Sequence, residues 1–189
     1  PEIEEYARLM GGDIKGDVIA NNKTFNLQML FADESFFNLF SFPLLRGDPA
    51  TALKDISSVV ITETVARKYF NSIDVIGKTI NPDADPSSQK LGRPLIITGV
   101  AKDIPKNSSV RFEILFPMRF MQLSFTDTAW LNQYLGTFLI LKPGADLDKV
   151  SQKFNRVLAA HAGWQVAVSQ KLYHYDPKIS YSLQHVTDI

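Results

Sequence analysis

The sequence predicts an α+β fold in which a β-rich stretch interrupts an α/β unit. Three observations carry this. Apolar residues alternate at a two-residue period in several short runs. A helix, "ADLDKVSQKFNRVLAAHAG" (145–163), follows the strand "TFLIL" (137–141) near the C-terminus. A strand-rich region of roughly 55–110 separates that unit from a helix and hairpin at the start.

Composition sets the outer limits. The 189 residues suffice for one large domain or two small ones. Apolar residues make up 45% and charged residues 21%, enough to bury a core. Twenty acidic and twenty basic residues balance, so no global field favours nucleic acid or an anionic membrane. There is no cysteine, which excludes disulfides, thiolate catalysis and a cysteine zinc site. No apolar run approaches the roughly 18–20 residues of a membrane helix. The chain opens at Pro1 and closes on "YSLQHVTDI", so it reads as a segment of a longer polypeptide.

The elements follow in order. "PEIEEYARLM" (1–10) places Ile3, Tyr6, Ala7 and Met10 on one helical face, with Gly11-Gly12 as the stop. Residues 15–33 read as a hairpin turning at Asn21-Asn22. Asp33 suits the cap of a short helix, "ESFFNLF". Val59, Val60 and Ile61 make a β-branched strand, and Thr62 is the expected N-cap of a helix whose stripe is Val65, Ala66, Tyr69 and Phe70. "VIGKTI" (75–80) enters a strand, 81–94 is a polar loop, "LIITGVAKDI" (95–104) is the returning strand and "VRFEILFPM" (110–118) another. The aromatic region 119–135 reads as an irregular or helical connector. In the last helix Leu147, Val150, Phe154, Val157, Leu158 and His161 share a face, Asp146 caps and Gly163 ends it. "YSLQHV" (181–186) closes as a strand.

The chemistry-bearing residues are sparse. His161, His174 and His185 lack the i, i+4 spacing of a zinc helix. Asp83 and Asp85 lack the glycine and distal glutamate of a calcium loop, and Pro82 and Pro86 suit a stiff turn. Phosphate-binding glycine motifs and the G-x-S-x-G elbow are missing. Arg46-Gly47-Asp48 matches an adhesion triplet, but Gly47 and Pro49 give it the composition of an ordinary turn. Catalytic, cofactor and metal residues are therefore expected to be none. Phe116, Phe120, Phe125, Trp130 and Tyr134 exceed what a periodic core needs and are the expected partner surface.

Several stretches together resemble the MacB-like periplasmic core domain of FtsX-related ABC-transporter permeases, the Bacteroidetes type above all. They are "ADESFFNLFSFPLLRGDPATALKDISSVVITETVARKYF" (32–70), "DVIGKTI" (74–80), "IITGVAKDIPKNSSVRFEILFPM" (96–118) and the closing "YSLQHVTDI". The resemblance is strong over 30–118, looser over 135–189 and general in pattern over 1–29. It implies a porter-like α/β subdomain from 1–48 and 110–189, and an inserted β-rich, sabre-like subdomain at 49–109. The triplet at 46–48 falls in the family's "LL-x-G-D-P" turn, and turns at 46–50 and 104–109 are expected hinges.

The implied role is non-catalytic. Such domains face the periplasm from a cytoplasmic-membrane permease and transmit ATP-driven movement to the export or release of lipoproteins, peptides or small molecules. No cofactor is implied in the domain itself, because ATP is bound by a separate or fused cytoplasmic ATPase. The implied partners are a second permease copy, that ATPase and a periplasmic partner or lipoprotein, with no nucleic acid. Two other readings compete. One is a free-standing exported module binding a ligand through 116–134, and the other a hydrolase with a cleft of shifted titratable groups.

Overall fold

A computed structural model describes residues 1–188. The chain forms two compact units. The larger comprises Glu5–Thr126 and Leu135–Ile140; the smaller comprises Pro1–Glu4, Asp127–Tyr134 and the chain from Leu141 onward.

The larger unit is built on a mixed sheet. Its first two strands, β1 (Ile3–Ala20) and β2 (Lys23–Ala32), form the expected hairpin. Asn21 and Asn22 both adopt left-handed conformations, with φ of 49° and 56°, which a two-residue turn requires and asparagine tolerates. After α1 (Phe36–Leu39) and β3 (Leu44–Arg46) come β4 (Ser58–Thr62) and α2 (Glu63–Phe70). Then follow β5 (Thr79–Pro82), α3 (Pro86–Leu91), β6 (Leu95–Ala101), β7 (Ile114–Pro117) and α4 (Met118–Met121). The strand β8 (Gly136–Leu141) precedes the long helix α5 (Leu147–Tyr173). The strand order is β2-β7-β4-β6-β5-β1-β8, with β3 on β6 and a further β1–β2 pairing, so six strands close a circuit. The pairs β2–β7 and β4–β6 are parallel, and the rest with a recorded register are antiparallel.

The central strands are buried on both sides, which is why β4 and β7 read as continuous apolar runs. Leu27, Met29, Phe31, Val59, Ile61, Ile114 and Phe116 point into one core with Tyr69 and Ile97. Their neighbours Leu30, Ala32, Val60 and Leu115 point into a second core with Phe36, Leu53, Ala101 and Phe112. Each such side chain contributes about 1.5–3 kcal/mol on burial, against about 0–1 for an exposed ion pair. Apolar packing therefore decides the fold.

The second core holds residues from before 46–50, from between the two turns, and from after 104–109. These turns do not part the larger unit into separately packed lobes, and the compact units divide the chain elsewhere than at 48/49 and 109/110.

Four local expectations are corrected. Residues 3–10 are strand, not helix. Ala7 and Leu9 are buried two apart, and Leu9 and Met10 pair with Ala32 and Phe31, so the ladder outweighs the helical spacing. Gly11 and Gly12, at φ of 98° and 89°, open a register shift in β1 instead of ending a helix. Within the polar loop 81–94 lies α3, capped by Asp85 accepting from the Ser88 N–H at 2.8 Å, with Pro86 in its first turn and Gly92 left-handed at its end. Helix α5 runs past Gly163 to Tyr173, where His174 takes the left-handed C-cap. Residues 181–186 are not strand. Ile189, the last residue of "YSLQHVTDI", lies outside the described residues.

Candidate partner surface

The structure divides the five expected surface aromatics. Phe116 and Phe120 are buried in the first core. Phe31 stacks on Phe116 with ring centroids 5.2 Å apart, and Phe116 on Phe120 at 5.3 Å. The expectation of a partner surface therefore fails for these two, because β7 lies between β2 and β4 with both faces covered. Phe125, in the larger unit, is exposed. Trp130 and Tyr134 are exposed in the smaller unit.

Helix α5 organises the smaller unit. Asp146 caps it by accepting from the Lys149 N–H at 3.1 Å, and this bond holds the Asp146 carboxyl below its usual range. The ring of Trp130 stacks on His161 at 4.7 Å, and the Trp130 backbone N–H donates to Gln165 Oε1 at 2.9 Å. The chain after α5 is tied back by Asn155, which donates to Tyr181 O at 2.8 Å and accepts from Tyr181 N–H at 2.7 Å. Ser151 Oγ accepts from Leu183 N–H at 3.2 Å. These side chains satisfy the backbone that a strand ladder was expected to satisfy. A groove of about 450 Å³ is lined by Leu131, Leu158, Ala162, Val166, Pro177 and Ile179.

The other side of α5 was missed in the sequence. Val157, Trp164, Val168 and Leu172 are exposed, Trp164 at 66% and Leu172 at 63%. Ending the helix at Gly163 hid the continuation of the stripe. Val157, expected in the core, is also on this outer side.

The remaining polar candidates have structural partners. Arg46 Nε donates to Asp74 Oδ1 at 2.6 Å. The Asp48 carbonyl accepts from the N–H groups of Thr51 and Ala52 at 3.0 and 2.9 Å, and its side chain from Ala50 N–H at 3.0 Å. The adhesion-like triplet is a turn whose members are occupied. Asp85 caps α3, and His174 ends α5. Among the described residues no group of three His, Cys, Asp or Glu side chains could hold a metal ion. Among them also, no helix is long and apolar enough to cross a membrane.

The family model of the MacB-like periplasmic core domain matches residues 1–157. A solved domain described as belonging to a permease protein of Porphyromonas gingivalis is 27% identical with a TM-score of 0.68, covering 85% of this chain and 65% of that one. This chain thus spans just under two thirds of that domain. The periplasmic region of MacB from Actinobacillus actinomycetemcomitans is 17% identical with a TM-score of 0.60, covering 86% of this chain and 69% of that one. The extracellular domain of the noncanonic ABC-type transporter YknZ from Gram-positive bacteria is 12% identical with a TM-score of 0.59, covering 86% and 78%. These last two share the fold. No curated protein sequence matches the chain.

Proposed function

The chain belongs to the MacB-like periplasmic core domain family, a non-catalytic part of transporter permeases, and from that membership we propose that it relays movement in a larger protein. In this reading the segment faces the periplasm, held by membrane helices of a permease in the cytoplasmic membrane. A second permease copy and a cytoplasmic ATPase complete the machine, and ATP is bound there with no cofactor in this domain. Movement driven by ATP is passed through the domain to the export or release of a lipoprotein, peptide or small molecule. Phe125, Trp130 and Tyr134 are contact points for a periplasmic partner.

The observation that carries the reading is the family match over 1–157. The physical supports are the closed strand circuit and its two cores, since a relay must not deform under load. The chain has no cysteine, so a thiol introduced by Lys90→Cys on exposed α3 is the only one in this segment. In cells with a permeabilised outer membrane, a membrane-impermeant maleimide is expected to label it in the parent protein. Labelling only after the cytoplasmic membrane is broken would remove the periplasmic permease reading.

A further inference from the structure

We propose that the exposed apolar side of α5 is a lipid-docking surface, which lays this helix in the headgroup region of an anionic bilayer. The inference goes beyond the relay role and stands on this chain's own residues. At the period of a helix, Val157, His161, Trp164, Val168 and Leu172 fall within a sector of about 80°. All five are exposed.

Charge selects the occupant. The helix carries four bases, Lys149, Lys153, Arg156 and Lys171, against one acid, Asp148. The four bases share a sector of about 60° directly beside the apolar one, while Asp148 projects on the far side. Lys149 is near Asp146, at 3.3 Å, and Lys153 bonds Glu2. The attraction therefore rests chiefly on Arg156 and Lys171, which bracket Trp164. The whole chain is neutral, so this is a local asymmetry. A Trp, Leu and Val surface edged along one side by long cationic side chains suits a bilayer interface. There the rings sit at headgroup depth and the cations reach the phosphates. Lysine, by contrast, is depleted at protein interfaces.

The test uses this chain with vesicles of pure phosphatidylcholine and of equal parts phosphatidylcholine and phosphatidylglycerol. We expect co-sedimentation with the mixed vesicles and little with the neutral ones. Tryptophan emission should shift to the blue on binding, in the Trp130→Phe variant as in the parent, and by less in Trp164→Phe. Trp164→Ser and Leu172→Ser should each weaken binding about tenfold, and Arg156→Gln with Lys171→Gln severalfold. Circular dichroism and thermal melts of the variants check that these exposed substitutions leave the fold intact. Failure to bind the mixed vesicles, equal binding to both, or binding indifferent to Trp164 and Leu172 overturns the proposal. So does a dimer in solution that the same substitutions dissolve, with no lipid bound. None of these results bears on the relay role.

Discussion

Arg8 and Asp33 grip each other through both backbone and side chain. Arg8 Nε donates to Asp33 Oδ2 and Nη2 to Oδ1, each at 2.8 Å, while the Arg8 N–H donates to Oδ2 at 2.9 Å. The Asp33 N–H returns a bond to Arg8 O at 3.2 Å. The pair locks the start of β1 to the end of β2, where Leu9 already pairs with Ala32. Asp33→Ala strands a half-buried guanidinium and a backbone donor and should cost about 2–3 kcal/mol. Arg8→Ala leaves Asp33 its backbone bond and should cost less. Urea denaturation of the two variants gives the order, and equal losses would contradict it.

Two glycines should respond to alanine with opposite signs. Gly47 sits at φ 92°, and a Cβ there would lie 2.3 Å from Thr98 O. Gly47→Ala should destabilise by about 2–4 kcal/mol. Gly163 lies inside α5, and a Cβ there meets nothing within 4 Å. Gly163→Ala should stabilise by about 0.5–1 kcal/mol. Thermal melts of both variants read the signs directly.

Helix α2 is held at both ends by distant residues. At its start the Thr62 side chain makes no cap bond, and Asp103 takes that task, accepting from Thr64 N–H at 2.9 Å and Thr64 Oγ at 2.6 Å. At its end the Lys23 ammonium donates to the Lys68 and Tyr69 carbonyls at 2.9 and 3.2 Å. Asp103→Ala should therefore cost about 1–2 kcal/mol and Thr62→Val much less. Chemical denaturation checks this, and a larger loss at Thr62 would refute the assignment.

Tyr69 should make stability fall in alkali. It is fully buried, its hydroxyl donates to Val18 O at 2.5 Å, and burial pushes its pKa up to about 12 from 10.0. Its folded pKa is raised, so its contribution is complete below about pH 10 and is lost as pH climbs toward 12. Tyr69→Phe should cost about 1 kcal/mol at neutral pH and flatten the alkaline decline. A decline as steep in the variant as in the parent would contradict this.

Much of the fold was legible where local chemistry and tertiary packing agree. Asn21-Asn22 marked the hairpin, Val59–Ile61 the central strand and Asp146 the cap of α5. Residues 1–10 were misread because Ile3, Tyr6, Ala7 and Met10 match a helical period by coincidence, while pairing with β2 is a long-range fact. Gly163 was read as a stop because its low helix propensity is local, whereas the helix continues through the tethers at Trp130 and His161. Of the expected surface, Trp130 and Tyr134 are exposed, but Phe116 is not distinguishable from them by composition. Its burial follows from its place between two strands, both more than fifty residues away in sequence.

The most direct test of the relay role is a distance measured in the parent permease with its ATPase. A spin label at Arg67→Cys, on the exposed side of α2, in each permease copy reports their separation. The account predicts that the distance distribution differs between the ATP-bound and ADP-bound states. Superimposable distributions during continuing ATP turnover would contradict it.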